Sequence, residues 1–185
     1  VITITSDTSN LYSGTSPGDT TRDSDTWNVI TSETTITNVS SSSPGPVSDS
    51  PTWKLDTSGS GNPQWIGWQG KYGNIFSGSA NDTIIISGYY KTSAKAGISK
   101  IVDSLLYKSD WSGSYSTTTI DSQGNLVEDG QWHYFYSAFR VNEAYSNAII
   151  SAGPAWGYTT QKGTLYVNGL NWRIVPSSNT TASDI

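Results

Sequence analysis

The amino-acid sequence predicts an all-β sandwich, and three observations lead to that class. Thr, Ile, Val, Tyr and Trp are plentiful while Ala, Leu, Glu and Lys are scarce, a bias that suits pleated sheets rather than helices. Aromatic residues make up 12% of the chain and charged residues 14%, unlike a disordered composition. About ten short apolar segments are bounded by Gly, Asn, Asp or Pro, at intervals typical of a sandwich. A chain of 185 residues suits one domain.

The N-terminal quarter alternates between short strands and long connections. Residues 1–5 alternate apolar side chains with Thr, which predicts a strand. Residues 6–26 are polar and contain Gly and Pro, so we expect a long loop. Residues 27–30 and 34–39 are short strand candidates, and the Ser/Pro-rich residues 40–51 are expected to form a connector.

The remaining chain is richer in strand patterns. Eight segments have β-branched and aromatic residues between turn formers: 52–56, 64–69, 83–92, 104–107, 114–120, 132–141, 148–151 and 164–175. Residues 93–102 are compatible with one helical turn, and residues 177–185 form a polar tail or linker. We therefore expect one sandwich over residues 1–176.

The alternation within two strands predicts which side chains face the core. In residues 132–141, one face contains Phe135, Ser137, Phe139 and Val141, and the other contains Tyr134, Tyr136, Ala138 and Arg140. In residues 83–92, one face contains Ile84, Ile86 and Tyr90, and the other contains Ile85, Ser87, Tyr89 and Lys91. We expect the phenylalanine face to be core and the tyrosine–arginine face to be exposed or half-exposed. The apolar phase of the last strand changes at Asn168-Gly169, which predicts a β-bulge.

Charge and composition argue against several functions. The net charge is −5 and no basic run occurs, so nucleic-acid binding is not expected. No segment has the roughly 20 apolar residues that span a bilayer, so we expect no membrane insertion. The sequence contains no Cys, a single His (His133) and three Glu. Few general bases or nucleophiles therefore remain, and we do not expect an enzyme.

The order of three motifs resembles a known family. They are Ser87-Gly88-Tyr89-Tyr90-Lys91, then Gly130-Gln131-Trp132-His133-Tyr134-Phe135, then Leu165-Tyr166-Val167-Asn168-Gly169-Leu170. This order resembles jelly-roll carbohydrate-binding modules of the glycan-chain-binding type, over about residues 52–176. Similar modules occur on secreted glycoside hydrolases and in phage tail or virion-surface proteins. The resemblance implies a jelly-roll sandwich of two antiparallel sheets that binds a polysaccharide or surface glycan outside the cell.

Candidate ligand-binding residues come from the strands and the loops. Tyr89, Tyr136 and Arg140 follow from strand alternation and from the family's use of the concave sheet face. Trp111, Trp156 and Tyr158 lie in predicted polar, Gly-rich loops, where a large aromatic ring is hard to bury. If residues 64–69 are extended, Trp65 and Trp68 face opposite sides, and Trp65 is the one expected to be exposed. Trp53, Trp132 and Trp172 are assigned to the core or its rim.

No cofactor is required by this interpretation, but one acidic loop is compatible with calcium. Asp19, Asp23 and Asp25 supply the oxygen ligands that Ca²⁺ prefers, although a solvated loop is the favoured explanation of this cluster. In the closing strand, Asn168 stands where the similar modules have an acidic residue, so their structural calcium is not expected there.

Two functions follow from these observations. The first is non-catalytic glycan binding for attachment or targeting, by stacking on aromatic rings and by hydrogen bonds. The alternative is a structural or adhesion domain of a virion, tail fibre or cell-surface assembly, with protein partners on the same aromatic residues. A sugar site needs a groove lined by two or three rings, whereas a protein interface needs a flatter and larger patch.

Overall fold

A computed structural model describes residues 26–29, 35–56, 66–69, 76–93, 98–108, 110, 112–123, 126–156 and 163–177. These residues form eleven β-strands and no α-helix. The strands are β1 (Thr26–Val29), β2 (Thr35–Asn38), β3 (Thr52–Asp56), β4 (Ile66–Gln69), β5 (Phe76–Gly78), β6 (Thr83–Thr92), β7 (Ile98–Lys108), β8 (Thr117–Gln123), β9 (His133–Val141), β10 (Tyr145–Trp156) and β11 (Thr164–Val175). No helix in these ranges is long and apolar enough to cross a membrane.

The strands form two antiparallel sheets. The six-stranded sheet has the order β2-β3-β11-β6-β9-β8. In the five-stranded sheet, β7 pairs with one edge of β10, and β5 and β4 pair with successive parts of its other edge. β1 then extends that sheet beyond β4.

The last six strands are nested like a folded hairpin. β8 pairs with β9, β7 pairs with β10, and β6 pairs with β11. Successive nested pairs lie in alternate sheets, which is how a jelly roll is built. The predicted fold class, an all-β jelly-roll sandwich of two antiparallel sheets, is therefore confirmed.

The core lies between the two sheets, as the alternation in β6 and β9 predicts. The six-stranded sheet contributes Trp53, Ile84, Phe139 and other buried side chains, and the five-stranded sheet contributes Leu106 and Ile150. Phe135, Phe139 and Val141 are each at most 3% exposed. The assignment of Phe135, Phe139, Val141 and Trp53 to the core is confirmed.

Several element predictions need correction. The helical turn predicted within residues 93–102 is wrong from Ile98 onward, because β7 starts there and pairs with β10. Strand β5 was not predicted, since its three residues carry no pattern. Strand β10 is much longer than residues 148–151 and ends at Trp156, so Trp156 lies in a strand rather than a loop. Residues 1–25, including the first predicted strand, lie outside the described residues.

At one end of the sandwich, a buried carboxylate connects three segments of the chain. Asp82 is 4% exposed and accepts hydrogen bonds from the Ser79 and Ser177 backbone N–H groups, at 2.9 and 2.8 Å. The Tyr145 hydroxyl donates to the same carboxylate at 3.0 Å. The pKa of Tyr145 is raised well above its usual range, first by burial and then by this hydrogen bond. Asp82 thus connects the β5–β6 turn, β10 and Ser177, which lies two residues beyond the end of β11.

Candidate functional site

The outer face of the six-stranded sheet carries a group of aromatic side chains. Because side chains alternate along a strand, the residues between the buried positions of β6, β9 and β11 point away from the core. Five of them are aromatic and half-buried: Tyr89, Trp132, Tyr134, Tyr136 and Tyr166. Together with Lys91 they are called the aromatic face below. The group spans three adjacent strands, about 10 Å across and about 13 Å along β9.

Three tyrosines form a ladder on this face. Tyr89 pairs with Tyr134 across β6 and β9, and their ring centroids lie 5.2 Å apart at an interplanar angle of 61°. Tyr136 continues the row, with its ring centroid 6.3 Å from that of Tyr134. The Tyr136 hydroxyl donates to Asp121 Oδ2 at 2.9 Å, and this bond is the main cause that raises the Tyr136 pKa. The three rings are therefore held in place by one another, and the row ends at the polar contact between Tyr136 and Asp121.

Lys91 lies between two further rings of the aromatic face. Its Nζ is 5.0 Å from the Trp132 ring centroid and 4.7 Å from the Tyr166 ring centroid. Both distances are within the range of cation–π attraction. The ammonium also hydrogen-bonds to Ser43 Oγ at 3.3 Å. The two rings and the serine hold the charge at a defined place on the sheet.

Residues 39–51, which contain the connector predicted at residues 40–51, form one border of the face. The side-chain amide of Asn168, only 1% exposed, lies under this segment. Its Oδ1 accepts the Val47 N–H at 2.8 Å. Its Nδ2 lies 3.1 to 3.3 Å from four oxygens: the carbonyls of Val47, Ser50 and Pro51, and the Thr52 hydroxyl. Asn168 thereby holds the segment on the sheet.

Two glycines permit this close packing. A Cβ at Gly45 would lie 2.1 Å from Asn168 Cγ, so no other residue fits there without movement. Gly169 has a φ of 63°, a conformation that glycine adopts readily. The register of β11 against β6 shifts between Asn168 and Asn171, which confirms the predicted bulge.

Toward the other end of β6 and β9, residues of the same outer face are buried. Ile85 is 3% exposed and Ala138 is fully buried, so the expectation that Ala138 faces solvent is wrong. Arg140 shares the orientation of Tyr136, as predicted, and is half-buried. It lies beyond these buried positions, opposite Thr83 and Thr118. The structure therefore brings Tyr89 and Tyr136 together on one surface and places Arg140 apart from them.

The other predicted site residues cannot be placed. Trp65, Trp111 and Tyr158 lie outside the described residues, and so do Asp19, Asp23 and Asp25. For Trp156, only its backbone position at the end of β10 is described. No group of three or more His, Cys, Asp or Glu side chains suited to a metal ion occurs within the described ranges.

Away from the aromatic face, an open depression of about 390 Å³ lies between the β7–β8 connection and the start of β10. It is lined by Lys108, Asp110, Tyr115, Ser146 and Asn147. Lys108 Nζ lies 5.7 Å from the Tyr115 ring centroid. The Ser112 side chain and backbone N–H lower the pKa of Asp110 by hydrogen bonding to its carboxylate. Among these residues only Tyr115 offers a ring, so this depression is poorer in stacking surfaces than the aromatic face.

The single histidine is hydrogen-bonded to a carboxylate near the start of β9. His133 Nε2 lies 2.8 Å from Asp129 Oδ1. The hydrogen bond from His133 lowers the pKa of Asp129, as does the bond from the Gln131 N–H. Both side chains are substantially solvent-exposed, at 30% and 46%. The pair therefore closes a surface turn.

Half of the aromatic face is not among the binding residues that the sequence predicts. Trp132 was assigned to the core or its rim, yet its half-buried ring lies on the outer face against Lys91. A usable signal was present, because Trp132 has the same parity as Tyr134 and Tyr136. Lys91 shares the parity of Tyr89, but only the pairing of β11 with β6 places Tyr166 opposite it.

The fold is similar to parts of known carbohydrate-active proteins. The chain resembles the arabinose-bound α-L-arabinofuranosidase MgGH51, with a TM-score of 0.56 and 11% identity over 85% of this chain and 25% of that chain. The CBM22-1 xylan-binding domain of Paenibacillus barcinonensis Xyn10C gives a TM-score of 0.46 and 12% identity over 82% and 86% of the two chains.

A third similarity is to the enzymatically active domain of bacteriophage CBA120 tailspike protein 4. The TM-score is 0.48 and the identity is 11%, over 92% of this chain and 20% of that chain. This chain therefore spans only a quarter of the arabinofuranosidase and a fifth of the tailspike chain. No protein-family model and no curated protein matches the sequence. At such identities, the likeness concerns the fold alone.

Proposed function

We propose that this chain is a non-catalytic glycan-binding module whose ligand lies on the aromatic face. The observation that carries the proposal is the set of five half-buried rings on one solvent-facing sheet surface. Sugar rings have apolar C–H faces that stack on aromatic rings, while their hydroxyl groups need hydrogen-bond partners. Lys91, Ser43 and the Tyr136 hydroxyl with its partner Asp121 supply polar groups beside the rings.

The packing of the face favours binding over a purely structural role. Tyr89 and Tyr134 hold each other in an edge-on arrangement, and the Trp132 and Tyr166 rings are held by Lys91. Rings that are fixed before binding lose little conformational entropy when a ligand stacks on them. The segment at residues 39–51 borders the face beside Lys91, through the contact with Ser43.

A protein interface is the competing function, and the described surface supports it less. Interfaces have a core of fully desolvated apolar side chains. Among the described residues, Val127 is the large hydrophobic side chain that is strongly exposed, at 42%. The rings of the aromatic face are instead half-buried and carry polar ends. We assign the module to attachment or targeting outside the cell or on a virion surface, where polysaccharides are encountered.

Affinity electrophoresis in gels that contain soluble polysaccharides, together with a glycan array, tests the proposal. The variant Tyr89→Ala removes a central ring of the face, and we expect it to abolish retardation by the bound glycan. Tyr107→Ala is the matched control, because Tyr107 is half-buried on the outer side of the other sheet. Equal retardation of both variants, with melting temperatures near that of the unmodified chain, would contradict a site on the aromatic face.

A further inference from the structure

Charges on the outer face of the six-stranded sheet are unequally compensated. Lys54 Nζ lies 3.3 Å from Asp56 Oδ2, so these two charges neutralise each other. Asp121, at the far side of the face, accepts the Tyr136 hydroxyl. No carboxylate of the described residues lies within ion-pair distance of Lys91, whose partners are two rings and one hydroxyl.

We infer that the aromatic face selects acidic glycans, with the Lys91 ammonium recognising a carboxylate on the sugar. The inference rests on the proposed function. Aromatic rings attract an ammonium without neutralising it, and Ser43 occupies one of its three donors. Two N–H groups remain on this nitrogen, which lies 5.0 and 4.7 Å from the centroids of the two rings on which a sugar would stack. A carboxylate there accepts a charge-assisted hydrogen bond, which is stronger than a bond to a neutral hydroxyl.

The net charge of the chain cannot itself cause a preference for acidic glycans. At −5, the protein repels acidic polymers at long range, so non-specific attraction does not explain binding to them. A preference for acidic over neutral glycans therefore has to come from a cation at the site. Lys91 is the cation that the structure holds against two rings of the face.

The test compares each acidic glycan with its own neutral form. Polygalacturonate, alginate, hyaluronate and glucuronoxylan are presented beside their carboxyl-reduced counterparts, with neutral polysaccharides included. We expect at least one acidic glycan to bind about tenfold more tightly than its reduced form, a ratio that corresponds to about 1.4 kcal/mol. Lys91→Gln removes the preference, so that an acidic glycan and its reduced form bind alike, whereas Lys91→Arg keeps part of the preference.

Lys108→Gln is the matched control. It removes the same charge from a lysine that also lies over a tyrosine ring, but outside the aromatic face. Melting temperatures establish that each variant is folded. Glycan binding without acidic preference, or a preference that survives Lys91→Gln, overturns the inference and leaves the proposed function standing. Binding to none of the glycans overturns the proposed function itself.

Discussion

The two faces of strand β9 use aromatic residues for different purposes. The inner face carries Phe135 and Phe139, which are 3% and 2% exposed and belong to the core. The outer face carries Tyr134 and Tyr136, which are half-buried and stand beside other rings. Ring size is similar on both faces, and only the hydroxyl and the exposure differ. A strand of this kind packs a domain with one face and offers a stacking surface with the other.

A tyrosine can also belong to the inner face when its hydroxyl finds a partner. Tyr90 is 2% exposed, and its hydroxyl accepts the Val127 backbone N–H at 2.9 Å. Residue type alone therefore does not separate core from surface. Strand parity does, because Tyr90 alternates with Tyr89 and Lys91 along β6.

The largest effect is expected from truncation of the inner face. Phe139→Ala should lower the free energy of unfolding by about 3–5 kcal/mol, since it opens a cavity in a closely packed core. Urea unfolding of this variant beside Tyr136→Ala measures the difference between the two faces. If Tyr136→Ala unfolded the protein and Phe139→Ala were harmless, the assignment of the faces would be inverted.

Asn168 sharpens the comparison, because it shares the outer face with Tyr89 but is buried under residues 39–51. Asn168→Asp would place a carboxylate against three carbonyls and a hydroxyl that now surround an amide nitrogen. We expect a loss of about 3 kcal/mol in the free energy of unfolding, the scale of an uncompensated buried charge. Thr37→Asp, at an exposed outer-face position of β2, is the control and should change little. An unchanged urea midpoint for Asn168→Asp would show that the cage does not stabilise the fold.

The sequence predicts the alternating strands well and the loops poorly. Residues 83–92 coincide with β6, and the core face of β9 follows from its period of two, because one side of a sandwich strand must be buried. The bulge at Asn168 is visible as a change of apolar phase. β5 and the first half of β7 are not predicted, since their strand state depends on pairing with β10.

The site depends on long-range contacts that no local pattern encodes. Asn168 and Val47 are 121 residues apart in sequence, and Ser43 reaches Lys91 over a separation of 48. Parity places Tyr89 and Tyr136 on a common kind of face but does not say which strands are neighbours. The order β11-β6-β9 is what brings Tyr166, Lys91 and Trp132 together.

A moderate effect on binding, with little effect on folding, is expected at the outer face. Tyr136→Ala should weaken glycan binding by about 1–2 kcal/mol, or roughly tenfold in Kd, because one stacking ring is lost. Tyr136→Phe keeps the ring and loses only the hydrogen bond to Asp121. Titration calorimetry with the bound glycan should rank Phe above Ala at this position. If both variants bound like the unmodified chain, Trp111 and Trp156 would become the first candidates.

A smaller effect concerns two tyrosine hydroxyls that both donate to a carboxylate. The pKa of buried Tyr145 is raised much further than that of half-buried Tyr136. A raised pKa favours the neutral hydroxyl in the folded state. The hydroxyl's contribution to the free energy of unfolding is therefore fully present below the unfolded-state pKa of about 10. It is lost as the pH rises from there through the folded-state pKa.

Urea unfolding between about pH 8 and pH 11 brackets that unfolded tyrosine pKa and tests the sign. The unmodified chain should lose stability steeply toward the alkaline end, and Tyr145→Phe should flatten the curve because it has no proton to lose. Tyr136→Phe should leave the slope almost unchanged. Equal slopes for the unmodified chain and Tyr145→Phe would show that another group controls the alkaline transition.

The smallest expected effect is that of metal removal on glycan binding. The cation that the structure places on the aromatic face is the Lys91 ammonium, and the oxygens around Asn168 already face an amide nitrogen. Neither position needs Ca²⁺, which takes six to eight oxygen ligands. We therefore expect the same Kd with EDTA and with added calcium.

Calcium bound at Asp19, Asp23 and Asp25 would raise only the melting temperature, because it would stabilise the folded state without contacting the ligand. If EDTA abolished binding at a temperature where the fold stayed intact, the ligand would be held by a direct metal–sugar contact, and stacking on the outer face would no longer account for binding.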